Sequence, residues 1–205
     1  MKNRKKNYSL LLLAGGKNSR MGLNKAKLHY EGKTFAQLMI DKAKDLGISQ
    51  IFVSGFQMEG PGISVVWDRY PDRGPLGGLH ACMKEMGTPF CLVLPVDAPK
   101  LPIEVLDDLL TYHETHRSGL KREKEIPLLW EHGDRKEPLI AIYPVAMADA
   151  VGELIKLNPA PVFRILDQWG YECYQREMDK EEHLLNVNTP QLYQELLQEE
   201  RPKEE

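Results

Sequence analysis

The chain has 205 residues, 42% of them hydrophobic, which is enough to bury the core of one α/β domain and short for two. Lys and Arg number 27 against 30 Asp and Glu, a formal net charge of -3, so no overall field holds nucleic acid or an anionic membrane, and any anion site is local. Three cysteines, Cys82, Cys91 and Cys173, lack the close spacing of metal or redox motifs and read as free buried thiols in a reducing, cytoplasmic compartment.

At the N-terminus, Lys2, Arg4, Lys5 and Lys6 precede an apolar run over residues 10–13 and imitate a signal peptide. The run stops at Gly15 and Gly16, too short for a signal-peptide core or a membrane span, so residues 1–7 are expected to be a basic tail. From there apolar runs of strand length alternate with helix-period segments. That pattern predicts a Rossmann-like, mostly parallel sheet with helices on both faces, in a single domain over residues 8–199.

Residues 9–13 read as the first buried strand, and a glycine-rich loop follows. Phe35, Met39, Ala43 and Leu46 recur at helical spacing with Gly47 after them as a C-cap, predicting a helix over 35–46. Strands are expected at 51–54 and at 63–67, the latter ending at Asp68, and a turn-rich stretch through Gly78 leads into a helix over 79–86. The strand at 90–94 runs into Pro95-Val96-Asp97-Ala98-Pro99, where two prolines cannot donate to a ladder. Asp97 is thereby left near a strand end, the edge at which open α/β sheets bind ligands.

Residues 102–114 read as a helix with Leu106, Leu109 and Leu110 on one face, followed by a charged, exposed, mobile connection over 117–125. Runs at 126–130 and 139–143 flank Gly133-Asp134 and predict neighbouring, antiparallel strands, with helices at 145–157 and 162–169 beyond. Thr189-Pro190 is a helix start, since Thr accepts from first-turn amides and Pro loses no needed donor there. The last helix is placed at 191–199 and a fraying tail at 200–205.

The segment richest in chemistry is LAGGKNSRMGLNK, residues 13–25, in which glycines let backbone N–H groups approach a nucleotide without a Cβ in the way. Arg20 offers a planar fork of donors to phosphate oxygens and Lys25 a compact positive charge; read alone, the stretch is also compatible with an ordinary turn carrying two exposed cations. It is not a P-loop, because Gly16 and Gly22 enclose five residues and Leu23 stands where the lysine belongs. Nor is it a dinucleotide fingerprint, since Gly15 and Gly16 are adjacent. His80, His113, His116, His132 and His183 show no ligand spacing, and Trp67, Trp130 and Trp169 read as core or sheet-edge residues.

This segment resembles the LAGG, RMG and Lys signature of the molybdenum cofactor guanylyltransferases and their relatives. Asp68 with Gly74-Pro75-Leu76-Gly77-Gly78 resembles the family's Asp followed by GPLxG. Leu94 to Pro99 is similar to its fourth-strand Asp segment, and Asn186-Val187-Asn188-Thr189-Pro190 to its NVNTP. The matches keep the family's order and span residues 13–190.

The resemblance implies a nucleotidyltransferase-like fold and a Mg2+-dependent transfer of GMP from GTP to the terminal phosphate of molybdopterin, with pyrophosphate leaving. It carries guanine binding onto Leu13, Ala14 and Gly15, triphosphate binding onto Arg20 and Lys25, and the metal ligand onto Asp97. Arg20, Lys25 and Asp97 are thus the expected catalytic set. Asp68 resembles a nucleotide-contacting aspartate, its alternative being a cap of the following turn. Asn188 either helps hold metal or phosphate or shapes the turn into the last helix. Where several relatives carry Asn after the second strand, this chain has Ser54, which replaces one hydrogen bond and not a two-sided amide contact.

Rival readings are a molybdopterin cytidylyltransferase or another nucleotidyltransferase of the same fold, and a non-catalytic nucleotide-binding module that delivers cofactor. The expected partners are GTP and molybdopterin as substrates and, transiently, proteins of cofactor synthesis or molybdoenzyme maturation. Neither nucleic acid nor membrane is expected as a partner.

Overall fold

The structure is a computed structural model that describes residues 4–15, 24–117, 124–176 and 186–199. Its elements in chain order are β1 (Tyr8–Leu13), β2 (His29–Tyr30), β3 (Lys33–Thr34), α1 (Phe35–Asp45), β4 (Ile51–Ser54), β5 (Ile63–Val66), α2 (Pro75–Met83) and β6 (Phe90–Pro95). There follow α3 (Ile103–Arg117), β7 (Leu128–His132), β8 (Arg135–Pro144), α4 (Ala148–Ile155), α5 (Val162–Trp169), β9 (Glu172–Gln175) and α6 (Pro190–Glu199).

One seven-stranded sheet runs in the order β5-β4-β1-β6-β8-β7-β9. Its pairings are parallel except where β8 meets β6 and β7. The chain leaves β1 toward β4 and β5, then crosses back to place β6 on the other flank of β1, so the strand order reverses there. A reversal of this kind opens a crevice beyond the carboxyl ends of the two strands.

Alternation along the central strands supplies both cores. Tyr8, Leu10 and Leu12 of β1 and Phe90, Leu92 and Leu94 of β6 face a cluster that includes Phe35, Met39 and Ile40 of α1 and Leu106, Leu109 and Leu110 of α3. Leu11, Cys91 and Val93 face the opposite cluster, closed by α2, α4 and α5. Burying these fully shielded aliphatic and aromatic side chains, each worth about 1.5–3 kcal/mol, is the main drive for the layered arrangement.

Local signals set the element ends. Thr34 caps α1, its hydroxyl accepting from the Gln37 amide at 3.1 Å, and Thr189 caps α6 by accepting from Leu192 at 3.2 Å. The helix expected over 79–86 begins earlier, at Pro75, because Gly74 takes φ +61° and Pro75 occupies the first helical position. The stretch expected as one helix over 145–157 is a 3-10 turn, Val145–Met147, continued by α4.

Two expected placements are corrected by contacts distant in sequence. Arg4, read as part of a basic tail, is buried, its guanidinium bonded to Asp107 at 2.6 Å, to Glu114 at 3.0 Å and to Thr111 on α3. Trp67, read as a packing residue, is 60% exposed, whereas Trp130 is fully buried. Cys82 and Cys91 are free, buried thiols raised in pKa chiefly by burial, while Cys173 is free and only half-buried. Residues 118–123 of the expected charged connection, His183 and the expected tail over 200–205 lie outside the described residues. Among the described residues no helix is long and apolar enough to cross a membrane.

Candidate active site

At the crevice, Leu13 pairs with Ser54 of β4 on one side and Pro95 of β6 on the other. The ladder continues just past the strands: the Ala14 amide donates to Ser54 O and the Val96 amide to Leu13 O, both at 3.1 Å. Gly15 then meets Gly55 so closely that a Cβ on Gly55, which has φ +72°, would lie 2.6 Å from the Gly15 Cα. Glycine is required at Gly55, while a Cβ on Gly15 would stand 3.0 Å from the Gly55 Cα, a tight contact. Ala14 is buried and Gly15 exposed, so main chain lines this part of the crevice.

Next to it, the Ser54 hydroxyl donates to Asp68 Oδ1 at 3.2 Å. Burial pushes the Asp68 carboxyl up, and the Ser54 hydrogen bond opposes that shift. The first turn of α2 closes against both residues. A Cβ at Gly77 would stand 2.7 Å from Asp68 Oδ2, and one at Gly78 would collide with Ser54 Oγ. The Gly-Pro-Leu-Gly-Gly segment therefore does two things: it starts the helix, and it brings the helix's positive N-terminal end beside Asp68.

On the other flank Asn24 caps a short 3-10 turn, Lys25–Lys27, by accepting from the Ala26 amide. This fixes the approach of Lys25, whose ammonium lies 2.8 Å from Asp97 Oδ2 and donates to Asn188 Oδ1 at 2.5 Å. The Asp97 loop is tied at its main chain as well. The Val187 amide donates to Asp97 O at 2.8 Å, and Lys42 of α1 donates to Pro99 O at 2.5 Å. Burial pushes the Lys42 amine down to about 8.

Three segments remote in sequence thus converge on one ammonium: the turn after the glycine-rich loop, the end of β6 and the lead into α6. Leu13, Ala14, Gly15, Ser54, Asp68 and Asp97 stand along the same carboxyl edge of the sheet. Arg20 lies outside the described residues. Asp97 and Asn188 present oxygen atoms to a cation already, and a hard divalent ion prefers such donors. Among the described residues no group of three or more His, Cys, Asp or Glu side chains is arranged to hold a metal, so a cation here would take further oxygens from substrate phosphates or water.

Sequence reasoning did not find Lys42. Its only signal is a basic residue between Met39 and Ala43, two buried positions of α1.

The MobA-like NTP transferase domain, as a sequence family, matches residues 10–169 of this chain. The chain belongs to the MobA-like NTP transferase family. Within it, a molybdenum cofactor guanylyltransferase from Pseudomonas fluorescens (strain Pf0-1) is 32% identical over 195 residues, covering 90% of each chain. A probable molybdenum cofactor guanylyltransferase from Clostridium perfringens (strain SM101) is 29% identical over 202 residues, covering 92% of this chain and 96% of its own. The crystal structure of molybdopterin-guanine dinucleotide biosynthesis protein A from Archaeoglobus fulgidus superposes with a TM-score of 0.70 at 25% identity, over 92% of this chain and 96% of that one. Membership in this transferase family makes the chain a nucleotidyltransferase, and the crevice lies at the β1/β6 reversal, the kind of switch point at which open α/β sheets bind ligands.

Proposed function

We propose that this nucleotidyltransferase moves GMP from GTP to the terminal phosphate of molybdopterin, in the cytoplasm, with Mg2+ held by Asp97. The observation that carries this reading is the convergence of Lys25 with Asp97 and Asn188 beside the glycine-built main-chain shelf. A terminal phosphate oxygen of the acceptor attacks the α-phosphorus of GTP. The new P–O bond forms as the bond to the β-phosphate bridging oxygen breaks, and pyrophosphate leaves with that electron pair. An anionic nucleophile needs no strong general base, so positioning and charge neutralisation supply most of the rate.

The residues divide that work. Leu13, Ala14 and Gly15 offer main-chain groups to the guanine, and Lys25 neutralises the triphosphate, a role the family resemblance also gives to Arg20. Asp68 and Ser54 contact the nucleotide on the α2 side. When bound, Mg2+ neutralises phosphate charge and orients the triphosphate. Lys25 serves as the counter-charge of Asp97 until the phosphates take over the ammonium and the cation they bring takes over the carboxylate. The free thiols Cys82 and Cys91 suit a reducing compartment.

Base choice is the part of the proposal most directly tested. Ser54 spends its hydroxyl on Asp68, which leaves main-chain groups to distinguish guanine. Pyrophosphate release from purified chain with Mg2+ and molybdopterin is expected with GTP and at least ten-fold slower with CTP, about 1.4 kcal/mol of discrimination. Faster turnover with CTP assigns the chain to cytidylyl transfer. Tight GTP binding with no pyrophosphate from any nucleotide assigns it to cofactor delivery.

A further inference from the structure

The hairpin of β7 and β8 carries a polar group that the reading above does not use. Its register sets Trp130 opposite Glu137 and His132 opposite Arg135, so alternation puts these four side chains on one face. The register slips between Leu129 and Trp130, leaving residues 138–140 of β8 as a bulge. The Tyr143 hydroxyl pins that bulge by donating to Pro138 O at 2.7 Å. Bulges bend a strand and re-aim the side chains beside them.

Glu137 is placed at a cost to the fold. Its side chain is only 12% exposed, and its ion-pair partner among the described residues is Arg135, at 2.6 Å, which is itself 69% exposed. Burial pushes the Glu137 carboxyl up. Arg135 and His132 oppose the shift, and the charge of Asp97 adds to it. Among the described residues two ring nitrogens nearby have no hydrogen-bond partner: Nε1 of the fully buried Trp130 and Nδ1 of His132, whose ring stacks on Trp130 at 5.9 Å. Half-buried carboxylates and orphan nitrogens gathered at the carboxyl end of a sheet are costly unless a ligand completes them.

Sheet order indicates which ligand. Ser54 and Asp68 lie on the β4 side of Asp97 and Glu137 on the β8 side, so Asp97 separates two halves of the crevice. With the nucleotide in the first half, the second is left for the acceptor. We propose that Glu137 is the acceptor-recognition residue, its carboxylate taking the paired, coplanar N–H donors on the aminopyrimidinone edge of a pterin. A carboxylate offers two acceptor oxygens in a plane, the geometry such an edge requires. This inference rests on the proposed transfer to a pterin phosphate.

The test is equilibrium binding of 6-hydroxymethylpterin, followed by its own fluorescence in the presence of GTP, to the parent chain, Glu137→Gln and Glu137→Ala. Hydrogen bonds to a charged group predict that each variant loses about ten-fold or more in pterin affinity. GTP affinity should stay that of the parent, and the thermal midpoint should not fall, since Glu137→Gln removes a buried charge. Unchanged pterin affinity in both variants, or no pterin binding by the parent, overturns the proposal. So does a loss of Mn2+–GTP affinity in place of pterin affinity, which makes Glu137 a metal ligand. Failure of the transfer reading shows up separately, as a parent chain that binds pterin yet releases no pyrophosphate from GTP and molybdopterin.

Discussion

The ammonium of Lys25 sits 2.8 Å from a carboxylate oxygen of Asp97, although the two residues are 72 positions apart. The contact joins the turn after β1 to the loop after β6 across the point where strand order reverses. Each partner neutralises the other, and the metal–nucleotide complex proposed above would have to separate them.

Asp97→Asn removes the charge at nearly constant volume. Turnover measured by pyrophosphate release should fall about a thousand-fold or more, because the proposed metal loses its anionic protein ligand. Thermal stability should change by no more than about 1 kcal/mol, since partly exposed ion pairs contribute little. A variant with near-parental kcat overturns the assignment of Asp97.

Lys25→Met should lower kcat by about 10²–10³-fold, the usual loss for one preorganised donor to developing charge. The same change uncovers Asp97 and Asn188. Mn2+ alone, titrated by electron paramagnetic resonance, should therefore bind the variant more tightly than the parent. Weaker binding would show that Lys25 does not compete for those oxygens.

Gly78→Ala places a methyl group against Ser54 Oγ in the closely fitted first turn of α2. A loss of about 1–3 kcal/mol is expected by denaturant melting, together with weaker nucleotide affinity as Ser54 and Asp68 shift. Ser54→Gly in the same chain removes the obstructing hydroxyl and should recover most of the stability. Strictly additive losses in the double variant would place the strain elsewhere.

Lys42 gives a pH signature. Its amine titrates at about 8 in the fold against an ordinary 10.5, so between those values the unfolded chain holds more protons and stability rises with pH. Below about pH 8 both states are protonated and the burial penalty stands in full. Lys42→Met should abolish this rise, so the parent should gain about 2 kcal/mol on the variant between pH 7 and 9.5. The comparison is made by urea melts at the two pH values, and parallel profiles would show that Lys42 is not desolvated.

Much of this architecture could be read before any coordinates. The buried runs of β1, β4 and β6 and the capped, periodic α1 and α6 carry their own signals, and glycines with Lys25 and Asp97 marked the crevice. What escaped depends on partners that sequence does not reveal. The β2–β3 hairpin turns on Glu31 and Gly32, both at positive φ, where an Asn-Gly or Asp-Gly pair would have announced it. The Gly-Pro-Leu-Gly-Gly stretch reads as a turn because helix propensity penalises glycine, yet Ser54 and Asp68 occupy the space its missing side chains leave. Glu137 and Lys42 owe their surroundings to a bulge and to a neighbouring loop, and neither leaves a motif.

The hydrogen bond from the Val187 amide to the Asp97 carbonyl makes the run into the last helix a strap over the crevice. Loading the crevice should accordingly be felt at the end of the chain, as slower deuterium uptake at Val187 and along the first turn of α6. A chain cut short before residue 186 would lose Asn188 and this anchor together. One main-chain hydrogen bond thus ties the placement of α6 to that of Asp97, so the two segments should melt out together.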